Sequence, residues 1–171
     1  MKQVLVILLL CIVLAGCASP AVPAVPMETE PAASLPSASA PTPAATEAAT
    51  VTYTLYLPNE NADGFITRTV QTSAITAESV LAELQQGGAL PADGITINAF
   101  GSEGDQLNID FNQAFADAVN AMGTSGEYMI VGSVVNTFLN AFQARSLTFT
   151  VEGQILESGH VIYDFPLTFH E

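Results

Sequence analysis

Proline dominates residues 18–50, and this enrichment is the strongest constraint on what the chain can fold into. Seven of the 10 prolines lie there, and Ala, Pro, Ser and Thr together make up 26 of the 33 residues. Proline lacks the backbone N–H that helices and sheets use, and the stretch has too few apolar side chains to offset the entropy lost on ordering. We therefore predict a disordered linker over residues 17–50, followed by one folded domain over residues 51–171.

The first 17 residues have the pattern of a lipoprotein signal peptide. Lys2 precedes an apolar run over residues 4–14 that is too short to cross a bilayer. Residues 14–17 (LAGC) resemble a lipobox, which implies a signal peptide over residues 1–16 and a lipidated Cys17. An ordinary secretory signal with a chance cysteine is the alternative. The lipobox predicts a protein anchored in the lipid bilayer through acylated Cys17, on the extracytoplasmic side of the cell membrane.

The charge of the chain excludes nucleic acid as a partner. Three Lys and Arg residues stand against 17 Asp and Glu residues, a formal net charge of −14. A protein needs clustered cations to displace the counterions around phosphate, whereas Arg68 and Arg145 lie far apart in the sequence. A local ion pair with a neighbouring carboxylate is the default role that we predict for Arg68.

Hydrophobic periodicity over residues 51–171 predicts an α+β domain. Alternating apolar residues indicate strands over the following ranges: 51–57, 64–71, 95–99, 107–111, 147–151, 154–157 and 161–169. Helical spacing and capping residues indicate helices over 76–86, 112–123 and 124–143, the last opened by a capping box of Thr124 and Glu127. A glycine-bounded turn over 101–105 joins two of the strands. These elements predict a largely antiparallel sheet with its helices packed on one face.

The second half of this domain resembles the GerMN domain family, which is named for spore germination and sporulation lipoproteins. The resemblance rests on the strand 107–111 (LNIDF), on the helical segment 130–138 (IVGSVVNTF) that follows Glu127, and on the spacing to residues 147–153 (LTFTVEG). Residues 53–59 and Arg68 fit more loosely.

Two features depart from the family pattern. Gly87 and Gly88 stand where the family usually has Gly-Pro, and only one domain copy is present where some members carry two. The resemblance implies an envelope-associated, non-enzymatic module in sporulation or spore germination.

Three polar residues inside these segments have an interaction role or a structural role. Asn136 and Thr137 interrupt an apolar helix, where they either face a partner or satisfy backbone groups of an adjacent loop. Asp110 is interpreted as structural, binding backbone amides at the start of the following helix.

Residues that suggest chemistry are few, and each set has a structural alternative. Residues 59–64 (NENADG) offer oxygen ligands at positions 1, 3 and 5 of a calcium loop, but position 12 is Val70 instead of a carboxylate, and a hairpin turn explains the same residues. His160 and His170 have no third ligand at zinc spacing. The acidic residues either gather into an acid–base or metal site or form a solvated acidic face; they are Glu103, Asp105, Asp110 and Asp117. We predict no catalysis, no metal and no cofactor.

Three hypotheses for the function follow from the sequence. The first is a tethered interaction module that recognises another envelope protein or assembles with itself. The second is a lipoprotein that binds a small solute or a cell-wall glycan in a concave pocket. The third is a carboxylate-based hydrolase of the cell wall, which needs two acids facing a cleft.

Overall fold

The computed structural model describes residues 49–171, so the predicted signal peptide, Cys17 and almost all of the predicted linker lie outside the described residues. The described residues form an α+β domain, as the periodicity predicts. Its elements, in chain order, are β1 (Val51–Pro58), β2 (Phe65–Thr72), α1 (Ala77–Gln86), β3 (Ile97–Glu103), β4 (Gln106–Phe111), α2 (Gln113–Asn120), α3 (Thr124–Phe142), β5 (Ser146–Val151) and β6 (Gln154–Ile155).

The strands form two sheets, where the sequence predicted one. Strands β1 and β2 make an antiparallel hairpin, and the second sheet has the order β3-β4-β5-β6. The pairs β3–β4 and β5–β6 are antiparallel, whereas β4 and β5 run parallel because α2 and α3 form the crossover between them. The prediction of a largely antiparallel arrangement is confirmed, and the parallel pair is an addition to it.

Helix α3 lies at the centre of the domain. It packs on β1, β5, α1 and α2, and its residues are buried on nearly every side from Met129 to Leu139, not only along the predicted stripe. At Gly132 the helix approaches β2 so closely that a Cβ atom would lie 2.4 Å from the Phe65 ring. Among the described residues, no helix is both long enough and apolar enough to cross a bilayer.

Helices α1 and α3 begin close to where the sequence predicts, but the predicted capping box on α3 is wrong. The Thr76 hydroxyl accepts the N–H of Ser79, and Ser79 Oγ accepts the N–H of Thr76, which completes a capping box on α1. Helix α2, in contrast, ends at Asn120, and Gly123 is the residue that precedes α3 instead of ending α2. Thr124 is therefore already helical and makes no cap.

Glu127, the other half of the predicted capping box, points into the protein. It is only 3% exposed, and its carboxylate accepts hydrogen bonds from the Ser158 and Tyr163 hydroxyl groups. A buried carboxylate needs hydrogen-bond donors, and these two hydroxyls supply them. Glu127 thus holds the segment after β6 against α3.

The predicted last strand over residues 161–169 does not form. This segment pairs with the rest of the described domain only through isolated bridges, Leu147 with Leu167 and Glu157 with Ile162. Pro166 has no N–H to donate to a ladder, and Phe165 beside it is exposed.

Two other predicted bounds also change. Strand β6 has only two residues, and β3 continues to Glu103, which leaves a turn at residues 104–105.

Candidate functional site

The face of the four-stranded sheet that points away from the core carries polar side chains. Asn108 and Asp110 alternate along β4 with the buried residues Ile109 and Phe111. The parallel register places Thr148 and Thr150 of β5 beside Asn108 and Asp110. The Thr148 hydroxyl donates to Asn108 Oδ1 at 2.6 Å. These four side chains form a row across two strands, which we call the polar row.

Asp110 accepts three hydrogen bonds and is the most constrained member of the polar row. Its Oδ1 accepts from the Thr150 hydroxyl at 2.5 Å and from the N–H of Gly153 at 2.7 Å, and its Oδ2 accepts from Asn98 Nδ2 at 3.1 Å. The hydrogen bond from the Thr150 hydroxyl is the main reason that the pKa of Asp110 lies below its ordinary value, and the hydrogen bonds from Gly153 and Asn98 lower it further. The carboxylate is therefore ionised at neutral pH and is a poor proton donor.

The predicted role of Asp110 at the helix start is wrong, because Glu152 has that role. Glu152 Oε1 accepts the N–H of Gln113, the first residue of α2, at 3.1 Å. Asp110 instead binds the turn between β5 and β6, because its side chain stands out of the sheet and the parallel strand β5 ends beside it. Asp110 is structural, but for a different segment.

Small residues on β3 leave an open groove over the polar row. Ala99 stands opposite Asp110, and Gly101 stands opposite Asn108. A Cβ atom built at Gly101 would meet nothing within 4 Å. The groove has a volume of about 430 Å³, and Glu103 lies at its rim. We call it the polar groove.

A second groove follows the other side of β3. It has a volume of about 420 Å³ and lies between β3 and the start of α1. Its apolar lining includes Ile75, Ile97, Phe100 and Phe142. The Phe100 ring is 36% exposed, and its centroid lies 4.7 Å from that of Phe142. We call this the apolar groove.

Strand β3, between the two grooves, is an edge strand. The carbonyl of Phe111 accepts from Glu152 on the β5 side of β4, so Asp110 and the alternate residues of β4 turn their backbone groups toward β3. The residues of β3 that pair with them, Ala99, Gly101 and Glu103, direct their N–H and C=O groups toward β4. Phe100 and Ser102 lie between these residues, so their N–H and C=O groups point away from the sheet. Within residues 49–171, no backbone hydrogen bond joins residues 97–103 to an element other than β4.

Asn136 is fully buried in α3 and binds the end of the chain. Its Nδ2 donates to the His170 carbonyl at 2.8 Å, and its Oδ1 accepts the His170 N–H at 2.7 Å. Both backbone groups of one residue are thereby satisfied. The sequence left two roles open for Asn136, contact with a partner or hydrogen bonding to the backbone of an adjacent segment. The second role is the observed one, since the side chain is buried and does not reach the surface.

Thr137 acts in the same way on β1. Its Oγ1 accepts the N–H of Tyr56 at 3.0 Å, and Asn140 Oδ1 accepts the N–H of Thr54 at 2.6 Å. These side chains cover the edge of β1 that does not pair with β2. The sequence reasoning missed Asn140, although its position four residues after Asn136 puts both on one helical face.

Both arginines of the described residues form ion pairs. Arg68 Nη2 lies 2.9 Å from Glu83 Oε2, which confirms the predicted local ion pair, and Arg145 Nε lies 3.1 Å from Asp105 Oδ2. Residues 49–171 contain 14 Asp and Glu residues and two Arg residues. The surface of the domain is therefore strongly acidic.

Of the other acidic candidates, Glu103 lines the same groove as Asp110, whereas Asp105 and Asp117 do not. Asp105 pairs with Arg145, and Asp117 accepts from Gln113 Nε2 at 3.0 Å on its own helix. Within residues 49–171, no three His, Cys, Asp or Glu side chains lie close enough together to hold a metal ion.

The residues of the predicted calcium loop form a hairpin turn between β1 and β2. Asn59 Oδ1 accepts the N–H groups of Asn61 and Asp63, both at 3.2 Å, and Asn59 Nδ2 donates to Asp63 at 2.7 Å. Asn59 Oδ1 and Asp63 Oδ1 are therefore engaged within the turn, as in an ordinary Asn-initiated hairpin turn. The two histidines of the domain are not part of this turn. His160 is exposed, whereas His170 is partly buried, which lowers the pKa of its imidazole.

Comparison with known proteins identifies relatives of this fold. The family model Germane, described as sporulation and spore germination, matches residues 54–157. The first GerMN domain of the sporulation protein GerM from Bacillus subtilis is similar in structure, with a TM-score of 0.50 and 19% identity over 69% of this chain and 97% of that chain. The tandem GerMN domains of the same protein give a TM-score of 0.53 and 15% identity over 76% of this chain and 50% of theirs, so this chain spans about half the tandem structure. No curated protein sequence matches this chain.

Proposed function

Because this chain belongs to the Germane family of sporulation and spore germination domains, we propose that it is a lipid-anchored interaction module of the cell envelope. In this proposal, acylated Cys17 holds the protein in the membrane, residues 18–50 act as a stalk, and the domain recognises another envelope protein on the extracytoplasmic side. The lipobox at residues 14–17 supports the anchor.

The open sheet face is the observation that carries the recognition role. The polar row is already fixed by hydrogen bonds within the domain, so these side chains lose little entropy when a partner binds. Grooves lie on both sides of the adjacent strand β3. Such a surface is suited to binding a protein segment and does not require catalysis.

The state of Asp110 argues against its use as the general acid that the hydrolase hypothesis needs. A general acid must carry a proton near neutral pH, whereas three donors stabilise the ionised form of this carboxylate. A non-enzymatic module is therefore the function that we propose.

A capture experiment tests this proposal. The tagged full-length chain is recovered from detergent-solubilised envelopes of its source organism, together with the variant Gly101→Gln, which fills the polar groove. Gly159→Gln is the matched control, because a Cβ atom at either glycine meets nothing within 4 Å. We expect the unmodified chain and Gly159→Gln to retain the same partner, and Gly101→Gln to lose it. Recovery of no protein above background by the unmodified chain would reject the proposal.

A second function, binding of a small solute or a cell-wall glycan, is favoured by the size of the polar groove. Its volume of about 430 Å³ falls within the range of small-ligand sites, roughly 300–1,000 Å³, and its hydrogen-bonding groups are fixed. Titration of the isotope-labelled full-length chain with soluble peptidoglycan fragments tests this function by NMR. Shifts at Asn108 and Thr148 that Gly101→Gln removes would support it, and unchanged spectra would exclude it.

A further inference from the structure

We propose that the outer edge of β3 accepts an extended segment of a partner protein as an added β-strand, and that this segment carries Lys or Arg side chains. The inference rests on the proposed role as an interaction module, and it specifies where the partner binds and what chemistry the partner has. The occupant is a cationic strand of another protein.

The backbone of β3 provides the first reason. Phe100 and Ser102 direct their N–H and C=O groups away from β4, and no described residue outside β4 forms a backbone hydrogen bond with residues 97–103. Natural edge strands are usually short, or are protected by charged side chains, by proline, by a bulge or by a covering segment. Strand β3 has a register shift at residues 97–99 and ends in Glu103, but residues 99–102 (AFGS) pair regularly with β4 and contain no proline and no charged side chain.

The two grooves provide the second reason. Side chains of an added strand alternate between the two faces of the sheet, so one set would enter the apolar groove beside Phe100 and Phe142, and the other set would lie over the polar groove. In strand addition, backbone hydrogen bonds give affinity and pockets for alternate side chains give specificity. The grooves therefore select a segment in which apolar and polar residues alternate.

Charge identifies the occupant. Asp110 and Glu103 line the polar groove. Both arginines in residues 49–171 already form ion pairs elsewhere, with Glu83 and Asp105. A second copy of this domain has the same excess, 14 acidic residues to two arginines, and like charges placed together oppose binding. Residues 1–48 fit no better, because they contain one Lys and three Glu. A segment with Lys or Arg facing the polar groove is complementary.

Direct binding to synthetic peptides tests the inference. The full-length chain in detergent is titrated with a blocked peptide of the same length as β3 in which valine and lysine alternate. A peptide of alternating valine and glutamate is the charge control. We expect the lysine peptide to bind, with NMR shifts centred on residues 97–103, and the glutamate peptide not to bind. Shifts centred on β2, or no binding by the lysine peptide, would overturn the inference.

Two pairs of variants separate strand addition from nonspecific attraction. Ser102→Pro removes an outward N–H and leaves the ladder with β4 intact, since proline is tolerated on an edge strand where its nitrogen faces solvent; Ser102→Ala keeps that N–H. Glu103→Lys and Glu60→Lys change the net charge equally, but only Glu103 lies beside the polar groove. Circular dichroism and thermal melting confirm that each variant is folded.

We expect Ser102→Pro and Glu103→Lys each to weaken binding of the lysine peptide by at least about tenfold, with the two controls unchanged. Equal binding by Ser102→Pro and Ser102→Ala would overturn strand addition. The envelope capture separates this result from the general proposal: a partner that Ser102→Pro still captures leaves the interaction module standing and rejects the β3 edge. A chain that captures no partner rejects the interaction module itself.

Discussion

The side chain of Asn136 satisfies both backbone groups of His170, which a β-ladder would otherwise do. Replacing Asn136 with alanine leaves the partly buried N–H and C=O of His170 without partners, and each such loss costs roughly 1–3 kcal/mol when the group is kept from water. We expect Asn136→Ala to lower the free energy of unfolding by about 2–4 kcal/mol, measured by urea denaturation. Asn120→Ala, at an exposed position, is the control and should change stability by less than about 0.5 kcal/mol. Equal effects of the two changes would contradict the assigned role.

The Thr150 hydroxyl is the main cause of the lowered pKa of Asp110, so Thr150→Val should raise that pKa toward its ordinary value of 3.8. Because the pKa in the folded state is below that of the unfolded state, the ionised carboxylate adds stability above about pH 4, and this stability is lost as the pH falls through the folded-state pKa. The difference in urea midpoint between the parent and Thr150→Val should therefore shrink as the solution is acidified.

An NMR titration of the Asp110 carboxyl carbon measures the same effect directly. Thr52→Val, on an exposed residue of β1, is the control and should leave the pKa of Asp110 unchanged. An unchanged pKa in Thr150→Val would show that another group holds the carboxylate ionised.

The two threonines predicted to cap helices give a paired test. Thr76 accepts the N–H of Ser79 and caps α1, whereas Thr124 makes no cap on α3. Thr76→Ala should destabilise the domain by about 1 kcal/mol in urea denaturation, and Thr124→Ala should have little effect. The opposite order would mean that Thr124 caps α3, as the sequence predicts.

Local patterns predicted most elements but not their pairing. The alternation at β1, β4 and β5 identified these strands, because each buries one regular set of apolar residues. The helical spacing also identified α3, although that helix is buried on nearly every side. The alternation over residues 161–169 misled, because apolar residues every second position also occur in an extended segment that packs at only some of them: Tyr163 and Leu167 are buried, and Phe165 is not. The parallel pairing of β4 with β5 depends on where α2 and α3 place the chain, which periodicity does not encode.

The candidate site was predictable only in part, for the same reason. The sequence predicted an ion pair for Arg68 and a structural hydrogen-bonding role for Asp110. Arg68 does pair with Glu83, and Asp110 is hydrogen-bonded, although not at the predicted helix start. The partner of Asp110 is Thr150, 40 residues away, and only the parallel register brings the two together. The exposed edge of β3 also depends on strand order, which no local pattern of residues predicts.

At the scale of the whole molecule, an acidic domain carries an open edge strand, and the sequence predicts that a lipid and a proline-rich stalk hold it in the membrane. Photocrosslinking in living cells tests this account most directly. A photoreactive amino acid replaces Ser102 in the full-length chain, with the same replacement at Gly159 and a Cys17→Ala version of the Ser102 chain as controls. We expect one discrete crosslinked envelope protein from position 102, absent from both controls. No crosslinked product from position 102, or the same product from the Cys17→Ala chain, would contradict it.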